Sequence, residues 1–186
     1  INGNVIWTKN FYDSIYSSAN SIIEINDTNY LVSMAFSDSI GLLMIDNIGN
    51  VIWEKKYFEG FPSFVGLQKD RRGGYYLNSG IKTWPAGIPG YQTDIVLIKI
   101  DSIGNIEWQK SYGGSYSDIA ESVQQTIDGG YIVAGYSTSI DGDVTGNHRW
   151  ADYWVTKLNS IGNLEWQKSL GGTNHDYARS IQQIVD

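Results

Sequence analysis

Gly104-Asn105-Ile106-Glu107-Trp108 recurs, with one or two residues changed, as Gly3-Asn4-Val5-Ile6-Trp7, Gly49-Asn50-Val51-Ile52-Trp53 and Gly162-Asn163-Leu164-Glu165-Trp166. The copies stand roughly 46 to 58 residues apart, near the period of propeller and solenoid arrays. A unit that small cannot bury its own apolar face. The chain therefore reads as an array whose core lies between neighbouring units.

Aligned on this phrase, each unit offers four short strands rich in β-branched and aromatic residues and bounded by turn chemistry. First strands are expected at 21–25, 65–69, 121–126 and 179–184, and second strands at 30–36, 75–80 and 131–136. Third strands are expected at 42–46, 95–101 and 153–158, and fourth strands at 5–11, 51–58, 106–112 and 164–170. Between third and fourth strands one turn is spelled three times: Asp46-Asn47-Ile48-Gly49-Asn50, Asp101-Ser102-Ile103-Gly104-Asn105 and Asn159-Ser160-Ile161-Gly162-Asn163. Gly and Asn tolerate the positive φ that tight hairpins need. No amphipathic helix of useful length is present, and the three prolines fall in loops.

Repeated four-stranded meanders predict an all-β fold, a β-propeller or an arc of one, built from four-stranded antiparallel blades. On this reading residues 1–186 form a single array. Residues 1–12 are the last strand of one blade, 13–58, 59–112 and 113–170 are three complete blades, and 171–186 begin a further one. The open edges of such an arc are expected to pair with another copy or with the rest of a larger propeller. In the fourth strand, Val51, Trp53, Lys55 and Tyr57 share one face, as do Ile106, Trp108, Lys110 and Tyr112. That face should pack on the next blade, with Trp as its largest anchor. The lysine repeats in every copy (Lys9, Lys55, Lys110, Lys168), which favours a scaffold role with its stem over the Trp above a ring of cations for a ligand.

Of the 186 residues 18% are charged, the net charge is -7, and there are 7 Trp and 13 Tyr. With no Lys/Arg block, nucleic acid and anionic membrane surfaces are unsuited as partners. No apolar run is long enough to span a bilayer, so membrane insertion is not expected. Without cysteine there is neither a disulfide framework nor a thiolate site.

Trp166-Gln167-Lys168-Ser169-Leu170-Gly171-Gly172, the stretch Asp128-Gly129-Gly130-Tyr131-Ile132-Val133-Ala134-Gly135-Tyr136-Ser137 and the loop from Asp141 to Asn147 resemble the propeller-like repeats of large secreted bacterial surface proteins, many of them type IX secretion cargo. The resemblance spans essentially the whole chain. It is close in the last two repeats and degenerate in the first two, where Trp53–Gly60 departs from the usual ending. It implies an exported, extracellular or cell-surface protein. A more distant likeness is to pyrroloquinoline-quinone-type propeller repeats, carried by Asp101, Gly104 and Trp108. It implies shared blade architecture rather than shared chemistry.

The connections between second and third strands differ most among units. In the third, counting from Asp141, oxygen-bearing side chains fall at positions 1, 3, 5 and 12 (Asp141, Asp143, Thr145, Asp152), glycine at 6, and Asn147 at 7. That layout fits a calcium loop. It equally fits a polar loop built on Asx turns, and Asp152 aligns with Asp94 of the preceding unit. Ca2+ is thus the one cofactor the sequence suggests, and no organic cofactor is expected. The same connections carry Trp84, Tyr91 and Trp150, with Trp154 just beyond. Gathered on one face, these rings would serve as ligand-binding platforms, or they would cap the blade ends.

Catalytic signatures are missing from the sequence: no nucleophile elbow, phosphate loop or zinc-protease motif occurs. Asp118 and Asp176, candidate glycosidase carboxylates, each follow a Gly-Gly pair at the same offset. They read as repeat equivalents that accept backbone N–H groups. The expected function is a non-catalytic extracellular binding or adhesion scaffold for a protein or glycan. The alternatives are a carbohydrate-recognition module using the Trp/Tyr-bearing loops, and a partial segment of a secreted hydrolase.

Overall fold

The computed structural model describes residues 7–11, 17–83 and 92–184. Its elements are all strands: β1 (Ser17–Asn26), β2 (Asn29–Phe36), β3 (Ser39–Asp46), β4 (Val51–Glu59), β5 (Phe61–Lys69), β6 (Tyr75–Thr83), β7 (Gln92–Ile100), β8 (Ile106–Tyr112), β9 (Asp118–Gln125), β10 (Tyr131–Ser137), β11 (Asp152–Leu158) and β12 (Leu164–Leu170). They form three four-stranded sheets, β1–β4, β5–β8 and β9–β12, each an antiparallel meander in chain order. Among the described residues there is no helix, and none long and apolar enough to cross a membrane.

Two of the expected strands are not strands. Residues 7–11 and 179–184 have no ladder partner among the described residues; residues 5 and 6 fall outside the described residues. The first strands of the sheets begin earlier than expected, at Ser17, Phe61 and Asp118, and each carries a bulge.

The sheets stack face to face in chain order. Side chains alternate between the two faces of a strand, so the middle sheet supplies two cores. Leu77, Ile81, Val96, Ile98 and Ile100 point toward the first sheet and meet Leu31, Ile40, Leu42 and Met44 there. Tyr76, Ile95 and Leu97 point the other way and meet Val123, Tyr131, Val133 and Trp154 of the third sheet. Burial on both faces explains the unbroken apolar run Ile95-Val96-Leu97-Ile98 in β7. The third sheet's far side is crossed by residues 171–184, where the Ala178 N–H donates to the Gly135 carbonyl and Tyr177 meets Tyr136 edge-on at 4.7 Å.

The repeated phrase fastens one sheet to the next. From β4, Lys55 Nζ donates to the Ile103 carbonyl (2.8 Å) and Asn105 Oδ1 (2.9 Å), and the Tyr57 hydroxyl donates to the Gly104 carbonyl (2.8 Å). From β8, Lys110 donates to Asn163 Oδ1 and the Tyr112 hydroxyl to the Gly162 carbonyl (2.6 Å). Trp7 Nε1 donates to the Asn47 carbonyl at 2.8 Å. In each hairpin the glycine has positive φ (+80, +81 and +75), and its Cα faces the tryptophan of the preceding unit. Lys55 and Lys110 are therefore fastenings to the next hairpin, and Lys55 also lies 5.8 Å from the Trp53 ring centre. Asp46, Asp101 and Asn159 fix the turns by accepting two backbone N–H groups each.

Buried cations are paired. Lys99, 3% exposed in its side chain, lies 3.3 Å from Glu107 and donates to the Gly73 carbonyl. Its counterpart Lys157 reaches Asp128 at 2.8 Å and Glu165 at 3.0 Å. Such pairs are worth little net stability, but removing one partner strands a charge.

Gly162 and Gly146 separate the packing of the clasp from its backbone geometry. Their φ values are +75 and +79, but a Cβ at Gly162 would lie 2.8 Å from the Trp108 ring while one at Gly146 would meet nothing. Gly146→Ala is expected to cost about 1 kcal/mol from backbone strain alone. Gly162→Ala should cost at least about 1 kcal/mol more from overpacking. Equal losses in urea denaturation would mean that the Trp–Gly contact does not hold the sheets together.

Candidate functional site

The connection from β10 to β11, residues 138–151, is folded down onto residues 113–117, the link from β8 to β9. Thr138 N donates to the Ser117 carbonyl and Ser117 N to Thr138 Oγ1 (3.0 Å), and Tyr116 N donates to Ser139 Oγ (2.9 Å). Asp141 Oδ1 accepts from Ser115 N (2.6 Å). Asp143 Oδ2 accepts from Gly113 N (3.2 Å) while its own N–H donates to the Gly113 carbonyl. Val144 and Ala151 are buried beneath the loop. These bonds make the connection a cap rather than a free loop.

The rim of the cap is held just as closely. Asn147 Nδ2 donates to the Ser137 carbonyl (2.6 Å), Asn147 Oδ1 accepts from Arg149 N (2.8 Å), and Asp152 Oδ2 accepts from His148 N (2.8 Å). The turn so formed places Arg149 at φ +84, in the left-handed region where an arginine costs of order 1 kcal/mol. The next residue, Trp150, is 55% exposed. Tyr116, Thr138, Ile140, Arg149, Trp150 and His175 line a hollow of about 520 Å³. His175 meets Trp150 edge-on at 5.1 Å and lies parallel to Tyr177 at 6.0 Å, so a row of rings runs from Trp150 to Tyr136.

Of the expected ligand platforms, only Trp150 lies on this hollow. Trp154 is a core residue, a correction set by strand parity: it points inward, 1% exposed, with Nε1 on Gln167 Oε1, while Tyr153 points outward. Trp84 and Tyr91 lie outside the described residues. The expected metal ligands have separate protein partners: Asp141 and Asp143 on residues 113–115, Thr145 on Gln167, Asn147 on Ser137 and Arg149, and Asp152 on His148. Among the described residues no three acidic or imidazole side chains gather as a metal-holding group.

Arg149, Tyr116, Ile140 and His175 were missed. Only Arg149 had a local signal, its place beside Trp150 in the long connection. The others reach the hollow from separate segments, and no local pattern marks that.

Beneath the cap a pair of carboxylates frames a glycine, and the arrangement occurs twice. A Cβ on Gly113 would lie 2.5 Å from Asp118 Oδ2 and 2.8 Å from Asp94 Oδ1; one on Gly171 would lie 2.4 Å from Asp152 Oδ1 and 2.8 Å from Asp176 Oδ2. Asp118 and Asp176 each accept the backbone N–H of the second glycine, Gly114 (2.8 Å) and Gly172 (2.9 Å). Asp94 Oδ1, Asp118 Oδ1 and Asp152 Oδ1 are buried without a hydrogen-bond partner. Burial, then the neighbouring Asp118 and Asp143, push the Asp94 carboxyl up from 3.8 to about 6. Asp118 is likewise raised, chiefly by burial. For Asp94 and Asp118, a carboxyl beside a carboxylate is the expected state below about pH 6.

No protein-family model and no curated protein matches the chain.

The folded protein holds the Asp94 proton more tightly than the unfolded chain does. Its contribution to stability is thus complete below the unfolded value near 3.8 and is lost as pH rises through about 6. Asp94→Asn should abolish this part of the pH dependence and, above that window, exceed the wild type by of order 2 kcal/mol. Parallel stability curves for the two proteins between pH 4 and 7 would refute the assignment. Because the loop oxygens are already bonded to protein, millimolar calcium should leave the melting temperature unchanged. A calcium-dependent rise that Asp141→Ala/Asp143→Ala removes would instead establish a metal loop.

Proposed function

We propose that the chain is an arc of a β-propeller serving as a non-catalytic extracellular binding scaffold, with the hollow around Trp150 as its recognition surface. Three stacked four-stranded meanders joined by one repeated clasp support the propeller reading, since radial repetition of such sheets is how propellers are built. The likeness to secreted bacterial surface repeats supports the location.

The observation that carries the binding role is a large aromatic ring held out by a rigid mount. Trp150 is more than half exposed, yet the segment on either side of it is fixed by hydrogen bonds at Asn147, Arg149 and Asp152. A preorganised aromatic side chain loses little entropy on binding, which makes it an effective anchor. Ile140 and Tyr116, 59% and 52% exposed, extend the apolar surface around it.

Screening the wild type and Trp150→Ala against arrayed extracellular proteins and glycans tests this reading. Ligands found with the wild type should lose at least about tenfold in affinity in the variant, roughly 1.4 kcal/mol, at unchanged melting temperature. Binding that is indifferent to Trp150, or no binding at all, would overturn the assignment of the hollow.

A further inference from the structure

We infer that the hollow takes a carboxylate-bearing sugar, a hexuronic acid unit of an acidic polysaccharide, with its ring on Trp150 and its carboxylate on Arg149. The inference rests on the hollow being the binding surface and adds the charge and shape of the ligand.

Arg149 carries the charge argument. Arg72 donates to the Ser160 carbonyl and Arg179 pairs with Glu121 at 2.7 Å. Arg71, whose guanidinium lacks a hydrogen bond or ion pair among the described residues, sits in the β5–β6 turn at the other end of the stack, away from the aromatic hollow. The Arg149 guanidinium makes no hydrogen bond or ion pair with any described residue, although its backbone N–H is tied to Asn147. The acids of the surrounding segments do not compete for it. Asp141 is bonded to Ser115, Asp143 to Gly113, Asp152 to His148 and Asp176 to Gly172. A guanidinium left unpaired beside an open hollow offers a planar fork of donors whose best match is a carboxylate.

Backbone geometry makes the placement costly and therefore informative. At φ +84 a glycine would be at ease and an arginine is strained. The turn is held by Asn147 and Asp152, so the arginine is kept at the rim against its own preference. Strain of this kind persists where surrounding bonds over-determine it, and it concentrates at ligand sites.

The shape argument comes from the rings. Trp150 is braced edge-on by His175, which itself lies parallel to Tyr177. A pyranose offers an apolar C–H face to such a ring, and its hydroxyls find Tyr116 and Thr138 among the lining residues. The hollow's volume of about 520 Å³ falls within the roughly 300–1,000 Å³ of small-ligand sites. A single guanidinium pairs one carboxylate, and the net charge of -7 opposes the approach of a long polyanion, so the hollow reads one hexuronic acid unit rather than a charged track. A nucleic acid, charged at every phosphate, needs a basic track that this chain lacks.

The test is calorimetric titration with tetragalacturonate and with its fully methyl-esterified form, which keeps the ring and removes the charge. The wild type should bind the acid at least tenfold more tightly than the ester. Arg149→Gly relieves the backbone, so its fold is not at risk; it should bind the two alike, and Trp150→Ala should bind neither. Equal binding of acid and ester by the wild type, lost in Trp150→Ala, would overturn the acidic ligand and leave the binding surface standing. If neither sugar binds, the inference falls. An Asp/Glu-rich peptide titrated alongside then decides the rest: Trp150-dependent binding of the peptide keeps the hollow as a protein-binding surface, and its absence removes that reading as well.

Discussion

A glycine in the left-handed region, pressed against the tryptophan of the preceding unit, is the contact on which the stack depends. The residue must be glycine for two reasons that act at one atom. The hairpin requires positive φ, and a Cβ would strike the ring, at 3.0 Å for Gly49 and 2.8 Å for Gly162. Close approach of the turn then brings its carbonyl within reach of the Tyr57 or Tyr112 hydroxyl and its asparagine within reach of the lysine. Each such bond contributes about 1 kcal/mol net, while the buried aromatic surface contributes more. Hydrophobic stacking alone would let adjacent sheets slide. Donors and acceptors at the hairpin fix how one sheet sits on the next.

Because the clasp runs only between neighbours, an inner sheet and an end sheet live in different solvents. The middle sheet buries both faces, whereas the fourth copy of the row, on β12, leaves Trp166 46% and Leu170 51% exposed. The equivalent Trp53 and Trp108 pack against cores. Stability in such an array is a sum of unit terms and interface terms, and an unfilled interface forfeits its share. The same residues in the same order thus carry different energies according to position, which no single repeat reveals.

What was legible in the sequence was what is encoded locally. The turn residues Asp101, Gly104 and Asn105 bond among themselves, so their identity announced the hairpin, and the period-2 row Trp108, Lys110, Tyr112 announced the strand after it. The twelve strands of the three sheets followed from these. The cap was not legible. Its Asp141 and Asp143 bond to residues about thirty positions earlier, and His175 enters the hollow from the far side of β12. Spaced aspartates suggested calcium because a loop that gathers a cation and one that gathers backbone N–H groups use the same side chains. Trp154 was placed on the ligand face for want of a register: Gly135 pairs with Trp154 and Tyr136 with Tyr153, and that parity decides which ring is inward.

The geometry of a meander explains why the site could grow where it did. Successive strands reverse direction, so every third-to-fourth-strand hairpin lies at one end of the stack. Every second-to-third-strand connection lies at the other, together with the links between sheets. The clasps occupy the first end. The opposite end carries a connection of two residues in the first sheet, Ser37 and Asp38, and the long cap in the third. Insertions there disturb no clasp, and loop length costs stability only logarithmically. A cap built at that end can also tolerate a strained arginine and crowded carboxylates, because the interfaces that hold the sheets together are made at the far ends of the same strands. Separation of fold-determining and variable ends is what allows one repeated scaffold to carry a hollow on a single unit.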